Sequence, residues 1–154
     1  RLVADFLTTT ANMRLDLTNP SLLQAIGGGS FIVDIERVDI VTGSGADTLI
    51  GGALSDTLNG SGGDDVLAGA GGDDRLIGGA GSDRFVFAGG WGSDTVVDFE
   101  AGVDRFDLQS VGVTFEQLQI IAQGTSTIVH VPDHGEIVVL NATPSLLKAE
   151  DFLF

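Results

Sequence analysis

Large apolar residues recur through the middle of the chain at an interval of nine: Leu49, Leu58, Leu67, Leu76 and Phe85. An aspartate stands two positions before each of them, at Asp47, Asp56, Asp65, Asp74 and Asp83, and a glycine-rich run stands before each aspartate. A flexible acidic linker has no use for the apolar residues, and a packed core has no use for the glycines. Short strands joined by tight turns account for both. Three residues around each apolar position form a strand that points one side chain inward, and glycine tolerates the positive φ and close backbone approach of the turn. Two turns and two strands then make a flattened coil of about eighteen residues, and stacked coils pair as parallel strands about 4.8 Å apart. A sixth copy, "GGWGSDTVV" from Gly89 to Val97, follows the insertion of Phe87 and Ala88 and contributes Asp94 and Val96. The six apolar residues, Val96 included, form a thin inward column.

The flanks carry different patterns. Upstream, "MRLDLTN" and "FIVDIERVDIV" alternate apolar and polar residues, which predicts half-buried strands. Between them "NPSLLQAIGGGS" holds turn signals around a short apolar piece. These strands lead into the first repeat and are expected to extend or cap the solenoid, whose bare end would expose core and strand edges. Downstream, "TSTIVHVPDHGEIVVLN" predicts a hairpin around Pro132–Gly135, and "TPSLLKAE" one short helical turn. The expected division is residues 1–41 as N-terminal capping strands, 42–97 as the repeat roll and 98–154 as a C-terminal cap.

Charge sharpens the picture. The chain has 22 acidic against 7 basic residues and a formal net charge of −15, which argues against nucleic acid or an anionic membrane surface as partner and favours bound cations. It has no cysteine, so neither disulfides nor thiolate metal sites arise. No apolar run approaches the roughly 20 residues of a membrane span, and no basic-then-apolar signal peptide opens the chain. Its first residues, "RLVADFL", read as structured sequence, which suggests a fragment of something longer.

The repeat, G-G-x-G-x-D-x-U-x with U a large apolar residue, resembles the nonapeptide of the RTX (repeats-in-toxin) calcium-binding proteins over Thr42–Val97. The resemblance implies an all-β, right-handed parallel β-roll or β-helix solenoid, here with an N-terminal strand extension and a C-terminal β capping segment. A disordered glycine–aspartate linker would show no phase between aspartate and leucine, and here five consecutive copies keep it.

Stacking puts Asp47, Asp65 and Asp83 in one column and Asp56, Asp74 and Asp94 in the other. Carboxylates 5 Å apart repel by about 3 kcal/mol at an effective dielectric near 20, as much as burial of one leucine supplies, about 1.5–3 kcal/mol. A divalent cation between successive turns reverses the sign. Only oxygen is on offer as ligand, from carboxylates and turn carbonyls, which suits calcium with its six to eight adaptable oxygen ligands better than magnesium or zinc. The carbonyl candidates are Gly43, Gly45, Gly52, Gly60, Gly62, Gly63, Gly69, Gly71, Gly72, Gly78, Gly79 and Gly81. Same-edge gaps between six turns number about four, hence about four Ca2+ ions. Three departures bear on individual turns. Thr42 and Leu54 replace glycines in the first and second copies, leucine with a narrower φ/ψ range, and the insertion before Asp94 breaks the phase. The extra carboxylates Asp64 and Asp73 are expected to lie in water.

Beyond the repeats, "DTVVDFEAGVDRFDL" resembles the segment that follows the last repeat in many RTX proteins, which implies a terminal calcium site with Asp98 and Asp104, and Asp107 at a third acidic position. The competing reading is an acidic turn capping backbone N–H groups. "AEDFLF" resembles the ends of type I secretion substrates, and also reads as a final strand.

Catalytic patterns are absent. There is no G-x-S-x-G elbow, no P-loop, since the sole lysine is Lys148, and no EF-hand loop. His130 and His134 have zinc-helix spacing, but proline and glycine put them in a hairpin. Trp91 either stacks on a sugar or covers the sheet. The expectation is therefore a non-enzymatic calcium-binding module of a larger Gram-negative protein, secreted by a type I transporter and folding in extracellular calcium to support the upstream domains of its parent. The alternative is an adhesion or polysaccharide-binding module.

Overall fold

The computed structural model describes residues 37–154 and, before them, four strands: β1 (Leu2–Asp5), β2 (Arg14–Asp16), β3 (Gln24–Ile26) and β4 (Ser30–Ile32). The rest of the upstream reading, at residue 1 and over 6–13, 17–23, 27–29 and 33–36, lies outside the described residues. β5 (Val38–Val41) leads into the repeats, which supply β6 (Thr48–Ile50), β7 (Thr57–Asn59), β8 (Val66–Ala68), β9 (Arg75–Ile77), β10 (Arg84–Val86) and β11 (Gly92–Val96). Then follow β12 (Arg105–Asp107), β13 (Gln119–Gln123), β14 (Ser126–Val131), β15 (Gly135–Val139) and β16 (Phe152–Leu153).

A nine-residue step carries the chain half-way round the coil, so successive repeat strands fall alternately into two sheets. One has eight strands in the order β1-β5-β7-β9-β11-β15-β14-β13, and the other six, β16-β12-β10-β8-β6-β2. All repeat strands pair in parallel, with Leu49 opposite Leu67 and Leu67 opposite Phe85 in one sheet, and Leu58 opposite Leu76 and Leu76 opposite Val96 in the other. Every one of these apolar residues is fully buried. The architecture is a parallel β-roll whose core is two side chains thick, one from each sheet.

The upstream strands extend the roll: β2 pairs with β6, β5 with β7 and β1 with β5, all parallel. β3 lies in the segment read as turn signals around an apolar piece, β4 opens the predicted strand "FIVDIERVDIV", and the two pair antiparallel. At the other end the core thickens. Phe87, half of the two-residue insertion, is buried and packs on Trp91 and Phe106 with ring centroids 5.3 and 6.2 Å away. The insertion thus supplies core volume where the roll widens. The predicted hairpin is β14–β15, joined by β13 in an antiparallel meander that sequence reading does not foresee in full. The short turn appears at Pro144–Leu146, and the chain ends in β16, parallel to β12.

Candidate metal centre

The repeat aspartates stand in two columns, one along each edge of the roll, and are almost wholly buried. From Asp56 onward each uses its Oδ1 to accept a backbone N–H from the coil before it. Asp47 N–H donates to Asp65 at 2.7 Å, Asp65 to Asp83 at 2.9 Å and Asp83 to Asp104 at 3.0 Å. On the other edge Val38 donates to Asp56 at 2.7 Å, Asp56 to Asp74 at 2.7 Å and Asp74 to Asp94 at 2.9 Å. Asp94 and Asp104 therefore occupy column positions although they lie 20 and 21 residues, instead of 18, from their donors. The extra residues are absorbed between the strands, and the phase break at Phe87 and Ala88 does not remove Asp94 from its column.

The second carboxylate oxygen divides the column aspartates into two kinds. Oδ2 of Asp65, Asp74, Asp83 and Asp94 is buried without a hydrogen-bond partner. At Asp56 and Asp104 the same atom accepts N–H of Gly52 and Glu100, both at 2.8 Å. A buried ionised oxygen without a partner costs several kcal/mol, so four in a row point to something that the protein's own donors do not supply. Burial, the largest cause, pushes these aspartates well above the usual carboxylate range: Asp74 and Asp83 to about 6, Asp65 to about 7 and Asp94 to about 8, with neighbouring carboxylates raising them further. Asp56 and Asp104 are raised by burial as well, against the pull of their N–H donors.

The turn backbone differs between copies as well. At the fourth position of the third, fourth and fifth copies, Gly63, Gly72 and Gly81 have φ of +111°, +107° and +143°, where a side chain is strained. Leu54 holds that position in the second copy, outside the left-handed region and with its side chain half in solvent. There the turn sends Gly52 N–H to Asp56 and consumes Oδ2. The glycine at the first position has a different task. A Cβ built on Gly60, Gly69 or Gly78 would fall 2.0, 1.9 or 2.2 Å from Oδ2 of Asp65, Asp74 or Asp83. Those glycines leave room beside the partnerless oxygens. Thr42, at the first position of the first copy, uses its hydroxyl to donate to the carbonyls of Asn59 and Gly60.

Of the carbonyl candidates, Gly43, Gly52 and Gly60 already accept backbone N–H groups, from Gly62, Gly71 and Gly62 respectively, which leaves each a second lone pair. Gly45, Gly62, Gly63, Gly69, Gly71, Gly72, Gly78, Gly79 and Gly81 lie in the same stacked turns. Turn-to-turn contact is so close that a Cβ on Gly63 or Gly81 would meet the carbonyl oxygen of Gly45 or Gly63 at 2.2 or 2.0 Å. Among the described residues no three His, Asp or Glu side chains converge on one point. Any cation here would be held by carboxylate oxygens from the columns together with turn carbonyls, a hard set suited to calcium.

Other acidic residues serve the backbone. Asp98 accepts N–H of Gly78 and Gly79 at 3.0 and 2.9 Å, the capping arrangement that stood as the competing reading for that segment. Asp64 and Asp73 are exposed, as expected, and one oxygen of each also reaches the next coil on its edge to accept N–H of Ser82 and Ser93 at 2.9 Å. Asp107 accepts Gln109 N–H and pairs with Arg84 at 3.5 Å. Trp91 is buried, donates to the Glu136 carbonyl and stacks on His134 with rings 4° from parallel, so it closes the junction of roll and hairpin and offers no face to a sugar. His130 pairs with Glu136 at 3.7 Å. No helix among the described residues is long and apolar enough to cross a membrane.

Residues 39–53 and 50–85 match the RTX calcium-binding nonapeptide repeat, in four copies. No curated protein sequence matches the chain. Among solved structures, the extracellular lipase LipA from Serratia marcescens is similar over 97% of this chain and 20% of its own length, at 17% identity and a TM-score of 0.52. The AlgE6R3 subunit of the Azotobacter vinelandii mannuronan C5-epimerase is similar over 96% of this chain and 81% of its own, at 22% identity and a TM-score of 0.51. The AlgE6R2 subunit of the same enzyme gives 99%, 91%, 22% and 0.50. At these identities the likeness is one of fold, and the chain spans a fifth of the lipase.

Proposed function

We propose that this chain, whose roll carries RTX calcium-binding repeats, is a calcium-dependent folding module of a larger exported protein. The observation that carries the reading is the set of partnerless buried oxygens on Asp65, Asp74, Asp83 and Asp94. About four Ca2+ ions would be held between same-edge turns by these carboxylates, with Asp47 completing its column and carbonyls of the stacked turns as further ligands. Bound calcium supplies the positive charge that the columns lack. The chain's own residues do the rest: Oδ1 fixes each carboxylate against the preceding coil, and the first-position glycines keep the space beside Oδ2 clear. Sites of extracellular type, with Kd about 10⁻⁴–10⁻³ M, fill outside a cell and stay empty in its cytosol.

A column aspartate should then matter far more than a turn aspartate. Asp74→Ala removes one buried ligand and leaves Asp56 N–H without its acceptor. Asp133 lies exposed in the β14–β15 turn. In calcium titrations followed by circular dichroism, Asp74→Ala should raise the folding midpoint at least about tenfold, the equivalent of 1.4 kcal/mol, and Asp133→Ala should leave it within about twofold. Equal midpoints for the two variants would remove the columns from the calcium chemistry.

Export through a type I transporter into such a calcium-rich exterior is the second part of the proposal, supported by the terminal "DFLF". Phe152 is buried against Phe106 and Phe115, whereas Phe154 is 42% exposed and stacks on Phe152. Phe154→Ala therefore alters the terminal motif without opening the core. In a host with a matching transporter it should lower secreted protein several-fold at an unchanged calcium midpoint. Unchanged secretion would leave β16 as a capping strand only.

A further inference from the structure

The outer face of the eight-stranded sheet changes character toward β13. One outward row runs Asp39, Thr57, Arg75 and Thr95 across β5, β7, β9 and β11, and continues as Val138, Ile128 and Ile121 across β15, β14 and β13. The row thus ends in three apolar side chains, of which Ile121 is 52% exposed. β13 is also the sheet's last strand, and four of its five residues are exposed. Among the described residues, the backbone hydrogen bonds of turns, loops and caps do not engage Gln119–Gln123, whose pairing is with β14.

Edge strands of soluble proteins are ordinarily blunted by charge, proline or a bulge. This one has none of the first two. In a chain of net charge −15, the stretch from Gln117 to Pro132 contains no Asp, Glu, Lys or Arg. Its edge sequence, Gln119-Ile120-Ile121-Ala122-Gln123, is also self-complementary: folded about Ile121, glutamine meets glutamine, Ile120 meets Ala122 and Ile121 meets itself.

We propose that β13 pairs antiparallel with β13 of a second copy of this chain about a twofold axis at Ile121, joining the two eight-stranded sheets edge to edge. Such an interface is isologous, the commonest kind in homodimers. It also keeps the acidic parts apart. The nearest column carboxylate, Asp94, stands on β11, three strands in from the edge. At about 4.8 Å per strand the two Asp94 residues would lie about 34 Å apart, several times the Debye length of about 8 Å at physiological salt. Glu116 precedes β13 by three residues, so the antiparallel arrangement sends the two copies of it to opposite ends of the seam, beyond paired strands that each span about 17 Å at 3.4 Å per residue. Across the axis the two Ile121 side chains would meet as a cross-strand pair.

The test is sedimentation equilibrium of the 154-residue chain in millimolar calcium and 0.15 M salt over a wide concentration series, with folding verified by circular dichroism. The expected result is a mass that rises with concentration toward twice 15.9 kDa. Ile121→Lys and Ile121→Glu each place like charges face to face at the axis, and each should stay at single-chain mass at every concentration while keeping the wild-type calcium midpoint, since Ile121 is outside the core. An equimolar mixture of the two variants should recover the doubled mass. A folded wild-type chain that remains single throughout would overturn the proposal and leave this edge to a different partner, without touching the calcium reading. So would a dimer that survives both substitutions, or one that the mixture fails to restore.

Discussion

In excess chelator at pH 8 the roll should lose its β-type circular dichroism, and the emission of Trp91, the single tryptophan, should shift to the red as its contacts with Phe87 and His134 open. Millimolar calcium should restore both signals. The size of the effect follows from the columns. A site at tenfold its Kd stabilises the fold by about 1.4 kcal/mol, and four such sites together approach the stability of a small domain, about 5–15 kcal/mol. Without them the roll has only a thin core, one side chain from each sheet, to set against repulsion of about 3 kcal/mol between carboxylates 5 Å apart. The same measurement has a pH arm with a definite sign. Aspartates whose folded-state pKa is raised contribute stability that is full below the unfolded value near 4 and is lost as pH rises through the folded value. For Asp74 and Asp83 that loss is complete at about 6, for Asp65 at about 7 and for Asp94 at about 8. In chelator the chain should therefore be more folded at pH 5 than at pH 8. Calcium should do the reverse, stabilising strongly at pH 8 and weakly at pH 5, because protons compete for the same oxygens. A full β spectrum in chelator at pH 8 would sink the account, as would a calcium effect that grows on acidification.

Gly69→Ala should cost about as much as emptying one or two calcium sites, although it adds a single methyl group. Gly69 is not in the left-handed region, so the cost does not come from backbone strain. It comes from space: the new Cβ would lie 1.9 Å from Asp74 Oδ2 and 2.6 Å from its Cγ. Asp74 would have to swing away, which breaks its bond to Asp56 N–H and empties the oxygen cluster at mid-column. The midpoint for calcium-dependent folding should rise at least about tenfold, and overpacking of this kind ordinarily costs about 1–3 kcal/mol. Gly62→Ala is the matched comparison, since its Cβ would find the Ala80 carbonyl oxygen at an ordinary 3.7 Å. That variant should fold close to normally. Similar midpoints for Gly69→Ala and Gly62→Ala would show that the space beside Oδ2 has no special importance.

The roll itself was legible because its signal is a phase, and phase survives substitution: Leu54 and Thr42 sit in it without disturbing Asp56 or Asp47. The columns were legible for the same reason, once nine-residue steps are assigned to alternate sheets. What each carboxylate oxygen does was not. The difference between Asp56, with both oxygens bonded, and Asp74, with one left over, lies in the second turn residue, which aims its N–H at the carboxylate in Gly52 and takes positive φ in Ala70, and that is visible only in the stacked turn. Asp64 and Asp73 are the surface charge that the sequence suggests, but their acceptor role, to the coil eighteen and twenty residues on, has no signal in the sequence. β13 escaped notice as the outer member of the meander because "QLQIIAQG" carries neither the turn chemistry nor the alternation that marks β14 and β15. Phe87 reads as an interruption of the repeat, and is in fact the volume that lets the roll end.

The column hydrogen bonds all run one way, with the donor in the earlier coil and the acceptor in the later one. An array wired so can change length without being redesigned. Duplicating any eighteen-residue unit inserts one donor and one acceptor on each edge, and every bond on either side finds the partner it had before. Deleting a unit removes a matched set. A nine-residue change exchanges the two edges and the two sheets, and must be met by a compensating change further along. The number of coils is thus free to drift in steps of eighteen, and only the junction built around Phe87, Trp91 and Asp94, where the spacing becomes 20 and then 21, is fixed in place.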